Sequence, residues 1–300
     1  MKGIILAGGS GTRLYPITMG ISKQLIPIYD KPMIYYPLSV LMLAGIKDIL
    51  VITTPHDQND FKRLLEDGKR FGLNIEYAVQ EKPNGLAEAF ILGEEYIGDD
   101  TCAMVLGDNI YFGNGFVQIL KNAKQNAEDG YASIFGFQVR DPKRFGIMEL
   151  DDNNNVISVE EKPDEPKSDF AITGLYFYPK GVSEKAKTIK PSKRGELEIT
   201  TLNDMYLKEQ KLKAELLGGG FVWFDTGTKD SMIDASNLIC LAQKNNGKII
   251  SSPEAIAYKN GWIGDKEIID AYNEMSKNEY GKYLENVYNK EKAKSLILKP

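Results

Sequence analysis

The sequence predicts an α/β protein with an open, mostly parallel central sheet and helices on both of its faces. Three continuous apolar runs, residues 4–7, 49–52 and 102–106, are typical of strands that are buried on both sides. Between the second and third runs, residues 86–97 place apolar side chains at helical spacing after the helix-breaking stretch 83–85. This alternation of buried strands with helices favours βαβ units, and therefore parallel strands.

Composition limits the classes of function. Hydrophobic residues make up 42% of the 300 residues and charged residues 26%, which is typical of a globular protein with a sizeable core. The 37 basic and 42 acidic side chains give a net charge of −5, and this acidic balance argues against a general nucleic-acid binder. We therefore expect no nucleic-acid partner, although a local basic pocket for a phosphorylated ligand is compatible with the balance.

The rare residues exclude further chemistry. His56 is the only histidine, so a zinc site built on several histidines is impossible. Cys102 and Cys240 are the two cysteines and lie in separate apolar runs, which predicts buried thiols in a reducing cytoplasm. The longest uncharged stretch, residues 32–46, is shorter than the roughly 20 apolar residues of a membrane span. It predicts a core helix that starts near Pro37, and a cytoplasmic protein without a membrane partner.

The second half of the chain changes character. Short strand patterns separated by turn-rich stretches predict an added β region, with strands at residues 133–139, 146–150, 156–159 and 172–178. Helices are expected at residues 198–209, after the turn 225–228, and in the tail from 265 to 299. The apolar stripe of this tail is expected to pack either on its own domain or in a contact between subunits.

The first predicted strand ends directly in a glycine-rich loop. Gly8, Gly9 and Gly11 allow backbone N–H groups to approach phosphate oxygens without obstruction by a Cβ. Arg13 adds a permanent bidentate donor for phosphate. Leu14 stands where the dinucleotide-binding pattern has its third glycine, and no Walker lysine follows. The loop therefore predicts a phosphate site of another kind, and a tight glycine turn with a surface arginine is the alternative.

Two aspartates follow predicted strands, at the edge where ligands gather in open α/β sheets. Asp108 comes after residues 105–107, and Asp225 comes after residues 222–224. One or two carboxylates together with substrate phosphates are the usual ligands of Mg²⁺, so the pair predicts a magnesium site. A role as helix N-cap or turn residue is the alternative for each aspartate.

Two similar turns, residues 81–83 and 161–163, have the sequence Glu-Lys-Pro and follow strand-like segments. Proline favours an extended backbone at the residue before it, which can direct the amine of Lys162 across a cleft. Gln80 and Gly85 flank the first turn and offer an amide and an open backbone group to a base edge. A surface turn is the alternative for both segments.

Residues 5–14 resemble the signature of the sugar-nucleotide pyrophosphorylases. Further segments resemble the branch of that family that uses dTTP, and the resemblance runs from Lys2 to about the end of the chain. These segments are residues 21–25, 29–37, 106–109, 160–163, 195–200 and 223–228. The combination is highly specific, whereas the glycine loop alone indicates only the superfamily.

The resemblance implies a fold, a division into domains and a reaction. The fold would be a Rossmann-like, mostly parallel central sheet with an inserted sugar-binding β region and a helical C-terminal appendage. A nucleotidyltransferase domain would span 1–240, with a nucleotide-binding half (1–110) and a sugar-phosphate-binding half (111–227). A helical region for assembly or regulation would span 241–300. The substrates would be dTTP and glucose 1-phosphate, the cofactor Mg²⁺, and the assembly a homotetramer, often inhibited by dTDP-rhamnose.

The resemblance also assigns residues to the site. The nucleotide-binding residues would be Leu6, Gly8, Gly9, Ser10, Gly11, Thr12, Arg13, Lys23, Gln24, Gln80, Gly85 and Asp108. The sugar-phosphate-binding residues would be Asn109, Gly146, Glu161, Lys162, Ile172, Tyr176 and Trp223. The catalytic residues would be Arg13, Lys23, Asp108, Lys162 and Asp225, and the metal would be held by Asp108 and Asp225. One position departs from the family pattern, because Phe145 stands where a tyrosine is common, and its missing hydroxyl could not bond to the sugar or its phosphate.

Three other functions are compatible with parts of this pattern. The first is a nucleotidyltransferase that uses UTP or another hexose phosphate, since thymine and uracil differ by one methyl group. The second is a non-catalytic sugar-nucleotide sensor on the same fold, which the presence of all the charged site residues disfavours. The third is a dinucleotide-dependent oxidoreductase, which Leu14 disfavours.

Overall fold

The computed structural model describes residues 1–9 and 11–297 of the chain. Ser10, which the resemblance assigns to the nucleotide site, lies outside the described residues. The strands are β1 (Lys2–Ala7), β2 (Pro27–Ile28), β3 (Lys31–Pro32), β4 (Asp48–Thr53), β5 (Asn74–Val79), β6 (Cys102–Leu106), β7 (Asn109–Phe112), β8 (Ala132–Gln138), β9 (Gly146–Leu150), β10 (Val156–Glu161), β11 (Phe170–Tyr178), β12 (Leu212–Leu217) and β13 (Val222–Asp225). The helices are α1 (Tyr35–Leu43), α2 (Gln58–Leu65), α3 (Glu88–Leu92), α4 (Glu94–Ile97), α5 (Phe116–Glu128), α6 (Val182–Lys187), α7 (Ile199–Lys208), α8 (Lys229–Asn246), α9 (Pro253–Lys259), α10 (Asp265–Glu274) and α11 (Glu279–Ile297).

The central sheet has nine strands. Its main path runs β10-β9-β11-β6-β1-β4-β5, and β8 pairs with β11 while β12 pairs with β8. The strands from β6 to β5 are parallel to one another, whereas β11 is antiparallel to β6, β8 and β9. The predicted α/β fold with helices around this sheet is therefore confirmed, and the four strands predicted in the second half are present as β8 to β11.

The strand order reverses at β1. This strand lies between β4 and β6, with Leu6 opposite Ile52 on one side and Leu106 on the other. The chain first builds the sheet outward through β4 and β5, then crosses back to add β6. Ligands of open α/β sheets bind outside the carboxyl ends of the strands at such a switch point, and β1 ends here in the glycine loop.

Two helical predictions differ in their outcome. The uncharged stretch forms α1, whose side chains from Tyr35 to Met42 are all buried, so the predicted core helix is confirmed. The helical pattern at residues 86–97 is divided at Gly93 into α3 and α4. A Cβ at Gly93 would lie 3.1 Å from the Ala89 carbonyl oxygen and 3.2 Å from the Leu50 side chain. Glycine allows this close approach to the sheet and at the same time interrupts the helix.

The long helix α8 begins where the sequence predicts. Thr228 is its N-cap: the Ser231 backbone N–H donates to the Thr228 hydroxyl, and the Ser231 hydroxyl accepts from the Thr228 backbone N–H. Such a capping box satisfies two donors that the first turn leaves unpaired. Of the predicted apolar face of α8, Met232, Ala235 and Ile239 are buried, whereas Ala242 is only half-buried.

The C-terminal helices pack on their own chain. Ile268 of α10 and Leu284 of α11 are fully buried, and they share one hydrophobic cluster with Leu38 of α1. The Tyr280 hydroxyl donates to the buried Glu254 carboxylate at 2.6 Å. The tail therefore packs on its own domain, as one of the two expectations has it, and a contact between subunits stays a prediction.

The two cysteines differ in burial. Cys102 is fully buried, but Cys240 is only half-buried, and neither forms a disulfide bond. Across residues 1–9 and 11–297, no helix is long and apolar enough to cross a membrane.

Candidate active site

Two adjoining pockets lie beyond the carboxyl ends of β1 and β6. Each has a volume of about 240 Å³. The glycine-loop pocket is lined by Leu6, Gly8, Gly9, Gln24, Gln80, Pro83, Gly85, Leu86, Leu106, Asp108 and Glu196. The Lys162 pocket is lined by Leu86, Leu106, Asp108, Asn109, Arg144, Phe145, Gly146, Glu161, Lys162, Ile172, Gly174, Tyr176, Arg194, Glu196, Glu198, Ile199, Thr200, Trp223 and Asp225. Leu86, Leu106, Asp108 and Glu196 line both pockets, so a ligand in one lies next to a ligand in the other.

The glycine loop leaves β1 between two buried glutamines. The Gln24 amide donates to the Gly8 carbonyl oxygen at 3.1 Å. On the other side, a Cβ at Gly8 would lie only 2.9 Å from the Gln80 amide oxygen. Only glycine allows the backbone to pass this closely. The backbone of the loop is thereby held against the floor of the glycine-loop pocket.

The Gln80 side chain has a defined orientation. Its amide nitrogen donates to the Glu88 carboxylate at 2.7 Å and to the Gly85 carbonyl oxygen at 3.3 Å. The amide oxygen is left on the side that faces Gly8. A side chain held in this way can accept a hydrogen bond from a heterocyclic N–H, and it does so without losing side-chain freedom on binding.

A backbone bridge joins the two pockets. The Leu197 N–H donates to the Asn84 carbonyl oxygen at 2.6 Å, and the Ala87 N–H donates to the Leu197 carbonyl oxygen at 3.1 Å. Gly85 has a φ of 109°, and a Cβ there would lie 2.4 Å from the Leu197 carbonyl oxygen. Segment 81–87 beside the first pocket is thus fastened to segment 191–198 beside the second. We refer to these contacts as the Asn84–Leu197 bridge.

Asp108 is held by several partners. Its carboxylate lies 2.5 Å from the Lys23 ammonium group and accepts from the Asn109 amide at 2.9 Å. Its backbone carbonyl oxygen accepts from the Thr226 hydroxyl at 2.7 Å and from the Thr226 N–H at 3.1 Å. The contact with Thr226 fastens the loop after β6 to the end of β13, which brings Asp108 and Asp225 to the same cleft.

Asn109 lines the Lys162 pocket, but its polar atoms are already used. Its amide oxygen accepts from the indole N–H of Trp223 at 2.7 Å, from the Gly174 N–H at 3.1 Å and from the Tyr111 hydroxyl at 3.3 Å. Its amide nitrogen donates to Asp108. Asn109 therefore holds the surrounding strands together, and the second N–H of its amide is the polar group of this side chain that could make the sugar contact the resemblance assigns to it.

Asp225 has an unusual electrostatic position at the end of β13. Burial raises its pKa, and the nearby Asp108 carboxylate raises it further, while the charges of Lys23, Arg144 and Arg13 lower it. Asp108 and Asp225 place two carboxylates in one cleft, and burial disfavours the ionised form of Asp225. A divalent cation bound between them would stabilise both negative charges. Within the described part of the chain no cluster of three or more acidic, histidine or cysteine side chains suits a metal. The remaining ligands would therefore have to be phosphate oxygens and water.

Lys162 is positioned by its backbone and by Glu161. The Lys162 N–H donates to the Phe145 carbonyl oxygen at 3.0 Å, and its ammonium group lies 3.5 Å from the Glu161 carboxylate. The other oxygen of Glu161 accepts from the Thr200 hydroxyl at 2.5 Å. The extended backbone predicted at Lys162 is wrong, because its φ is 44°. The turn is left-handed here, and the contact to Phe145 outweighs the local preference before proline.

Several residues of the Lys162 pocket are absent from the sequence prediction. Arg194 forms ion pairs with Glu196 and with Glu198, the latter at 3.4 Å. Arg144 also lines this pocket and lies in the segment between β8 and β9. The segment 195–200 contributes to the resemblance, but nothing in its residue types indicates that it would reach the site. The signal that could have found it is the backbone contact with segment 81–87, which is visible only in three dimensions.

The other predicted residues fall into two groups. Those that line a pocket are Leu6, Gly8, Gly9, Gln24, Gln80, Gly85, Asp108, Asn109, Gly146, Glu161, Lys162, Ile172, Tyr176, Trp223 and Asp225. Gly11, Thr12, Arg13 and Lys23 are not among the lining residues, and Thr12 and Arg13 are exposed. Lys23 still reaches the site through its ion pair with Asp108, and the charge of Arg13 acts on Asp225.

A family model described as nucleotidyl transferase matches residues 2–241 of the chain. The chain belongs to the nucleotidyl transferase family, and the predicted class of enzyme is confirmed. Two of its relatives carry the same name. A protein from Neisseria meningitidis serogroup A named glucose-1-phosphate thymidylyltransferase is 57% identical over 284 residues, covering 95% of this chain and 98% of the relative. One of the same name from Mycobacterium tuberculosis (strain CDC 1551 / Oshkosh) is 51% identical over 284 residues, again covering 95% of this chain and 98% of the relative.

A solved structure agrees with these relatives. A Bacillus anthracis protein, provisionally named a glucose-1-phosphate thymidylyltransferase and crystallised with sucrose, superimposes with a TM-score of 0.73. It is 40% identical, and the match covers 79% of this chain and 94% of that chain. The resemblance to sugar-nucleotide pyrophosphorylases that the sequence shows is therefore confirmed.

Proposed function

We propose that this chain transfers a thymidylyl group from dTTP to α-D-glucose 1-phosphate, giving dTDP-glucose and pyrophosphate. The observation that supports this best is that the glycine-loop pocket and the Lys162 pocket adjoin at Asp108. The first offers glycine backbone and two oriented glutamines, which suit a nucleoside triphosphate. The second offers a carboxylate, hydroxyl groups and a lysine, which suit a phosphorylated sugar. The names of the curated relatives agree with this division.

The proposed reaction is a single in-line displacement. A phosphate oxygen of glucose 1-phosphate attacks the α-phosphorus of dTTP and forms a new P–O bond. The bond from the α-phosphorus to the oxygen that bridges it to the β-phosphorus breaks, and pyrophosphate leaves with that electron pair. The sugar phosphate is already anionic at neutral pH, so positioning and charge neutralisation are sufficient. This agrees with a chain whose one histidine, His56, is exposed and lines neither pocket.

Cationic side chains would stabilise the charge that develops. Arg13 and Lys23 are proposed to neutralise the triphosphate and the departing pyrophosphate, and Lys162 is proposed to bind the phosphate of the sugar. Lys23 already contacts a carboxylate oxygen of Asp108, and a phosphate oxygen can take the place of that partner because it has the same charge and a similar size.

Asp108 and Asp225 fit a Mg²⁺ ion, because hard cations prefer carboxylate oxygens and Mg²⁺ usually takes only one or two of them beside substrate phosphates. Bound there, Mg²⁺ would neutralise phosphate charge and act as a Lewis acid. The contribution of the chain is to hold both carboxylates at one cleft through the contact between Asp108 and Thr226.

Each of the two pockets is proposed to recognise one substrate. Gln80 and Gly85 are proposed to bind the thymine, with the oriented amide oxygen of Gln80 as acceptor. Gly146, Glu161 and the apolar side chains around them are proposed to bind glucose. A Cβ at Gly146 would lie 3.2 Å from the Glu161 carboxylate, so glycine keeps that carboxylate accessible to sugar hydroxyls.

We further propose that the enzyme is a cytoplasmic homotetramer, inhibited by an end product, which catalyses the first step towards dTDP-L-rhamnose-type sugars. The family resemblance supports the assembly, the inhibition and the pathway. The free cysteines support the compartment, since thiols persist in reducing surroundings.

Pyrophosphate release across an array of nucleoside triphosphates and sugar 1-phosphates tests the proposal. We expect the highest kcat/KM with dTTP and glucose 1-phosphate, and a measurable rate with UTP, because one methyl group changes binding by only about 1–3 kcal/mol. A higher kcat/KM with UTP, or with another hexose phosphate, would favour the second candidate, a uridylyltransferase or an enzyme for another sugar. Absence of pyrophosphate release with every pair would indicate a sensor.

A further inference from the structure

Arg144 is a cation of the Lys162 pocket that the proposed mechanism does not yet use. It lies at the end of the segment between β8 and β9 and lines the pocket together with Lys162 and Asp225. Its charge is near enough to lower the pKa of Asp225. Arg144 is exposed, so it lies at the part of this pocket that solvent reaches.

The other two cations of the pocket are already paired. Lys162 lies 3.5 Å from Glu161, and Arg194 forms ion pairs with Glu196 and Glu198. For Arg144, the described residues provide no ion pair within 4 Å. A guanidinium group without a carboxylate partner, beside a pocket suited to a phosphorylated ligand, is free to form two parallel hydrogen bonds to a phosphate.

Aromatic rings support the guanidinium group. Its central carbon lies 5.4 Å from the centre of the Phe145 ring, within the range of a cation–π contact. The Phe145 ring packs at 5.1 Å against Trp223, whose indole N–H donates to Asn109 beside Asp108. These contacts link the ring beside Arg144 to the carboxylate cleft.

We propose that Arg144 is a further catalytic residue that binds the phosphate of the sugar 1-phosphate, with the Phe145 ring as its support. The inference rests on the proposed function and names a residue of the same site. It is also compatible with phenylalanine at position 145, where the resemblance implies that a tyrosine is common. The ring provides the support for the guanidinium group, and this role does not need a hydroxyl.

Steady-state pyrophosphate release with separate KM values for the two substrates tests this proposal. We expect Arg144→Ala to raise the KM for glucose 1-phosphate about 10- to 100-fold, as for loss of a charge-assisted hydrogen bond, and to leave the KM for dTTP within about twofold. The KM of Arg144→Lys for glucose 1-phosphate should lie between those of the parent protein and Arg144→Ala, because lysine keeps the charge but cannot form two parallel hydrogen bonds. Millimolar guanidinium ion should partly restore Arg144→Ala.

Arg140→Ala is the matched control, because Arg140 is an exposed arginine of the same connecting segment that lines neither pocket. Two further variants separate the ring from the hydroxyl. Phe145→Tyr should keep the parent KM for glucose 1-phosphate, and Phe145→Leu should raise it, because leucine removes the cation–π support. Thermal unfolding of every variant checks that the fold is kept.

The outcomes are distinguishable. If Arg144→Ala matches Arg140→Ala, or if it raises both KM values equally, the proposal for Arg144 is wrong while the proposed function stands. If the parent protein releases no pyrophosphate from dTTP and glucose 1-phosphate, the proposed function fails and the role of Arg144 fails with it.

Discussion

At Asp225, burial and the three nearby cations act in opposite directions on the pKa of a single carboxylate. Burial and Asp108 raise its pKa, while Lys23, Arg144 and Arg13 lower it, and the net effect is upward. Removal of such a charge from water costs free energy unless a cation compensates it. We therefore expect Asp225 to contribute to cation binding and not to the stability of the fold, and the two contributions can be measured separately.

We predict that Asp225→Asn lowers Mg²⁺-dependent turnover by on the order of 100-fold or more, since a catalytic metal supplies several kcal/mol. Asparagine keeps the shape of the side chain, so circular dichroism should show an intact fold. Asp234→Asn, at an exposed position of α8, is the control. Near-normal activity of Asp225→Asn at limiting Mg²⁺ would exclude this aspartate as a metal ligand.

The raised pKa of Asp225 predicts a pH dependence with a definite sign. The folded state disfavours the ionised carboxylate, so Asp225 begins to lower the free energy of unfolding as the pH rises above its ordinary, unfolded pKa, and the full penalty is present above the raised, folded pKa. Asp225→Asn should therefore raise the Tm at neutral pH, and the gain should disappear in acid, where the parent carboxyl is protonated. Calorimetry across pH without metal measures this difference. A loss of Tm at neutral pH would show that Lys23, Arg144 and Arg13 outweigh the burial.

Arg13 is expected to act mainly in the transition state. We predict that Arg13→Ala lowers kcat by on the order of 100-fold, because negative charge builds on the departing pyrophosphate between the ground state and the transition state. The KM for dTTP should change much less. Arg140→Ala serves as the exposed arginine control. An increase in KM with unchanged kcat would instead make Arg13 a ground-state anchor.

At the scale of elements, the site depends on contacts between segments that are distant in the chain. The Asn84–Leu197 bridge joins the segment after β5 to the segment before α7. The contact of Asp108 with Thr226 joins the ends of β6 and β13 in the same way. Each pocket is therefore shaped by both halves of the chain.

The bridge can be tested at Gly85. We predict that Gly85→Ala raises the KM for both substrates, because a Cβ would lie 2.4 Å from the Leu197 carbonyl oxygen and push the two segments apart. Gly130→Ala is the matched control: its φ is 90°, close to the 109° of Gly85, but no atom lies within 4 Å of the added Cβ. Equal kinetics for the two variants would show that the bridge does not shape the pockets.

The difference between sequence prediction and structure follows from the range of the interactions. β1, β4 and β6 are strands buried on both faces, so a local apolar run is sufficient to predict them. Asp108 could be predicted because it follows β6, a strand of the central sheet, at the edge where ligands gather. Asp225 follows β13, which lies outside the central sheet and pairs antiparallel with β7, so the open-sheet argument does not apply to it. Arg144 and Arg194 could not be predicted, because they lie in irregular segments whose direction depends on contacts far away in the chain. Gly93 and Lys162 differ from their local expectations for the same reason.

At the scale of the whole molecule, the C-terminal region is continuous with the catalytic part. Gln243 lies just beyond residue 241, where the family model ends. Its amide donates to Asp30 at 2.9 Å and accepts from the Ile250 N–H at 2.9 Å. Lys31, which is 4% exposed, lies 3.5 Å from the same amide, and burial lowers its pKa. The domain boundary that the sequence predicts near residue 240 therefore lies where side-chain hydrogen bonds join the two regions.

We predict that Leu284→Ala in α11 lowers the free energy of unfolding by about 2–5 kcal/mol, as for a large-to-small change in a packed core. Leu284 is fully buried in the same cluster as α1. Leu241→Ala is the control, since that side chain is 63% exposed and should change stability by less than about 0.5 kcal/mol. Denaturant unfolding measures both. Equal effects would show that the tail is only loosely attached.

The wall common to both pockets has a consequence for inhibitors. A single molecule that joins a nucleoside to a hexose through a short linker could occupy both pockets, because Leu86, Leu106, Asp108 and Glu196 contact each of them. Once one end is bound, the other end is present at an effective concentration on the order of millimolar for a short flexible linker. Its overall avidity would then exceed the affinity of either half without any new contact with the protein. The same relation applies to the sugar nucleotide that the enzyme would make, which leaves only when both ends dissociate together.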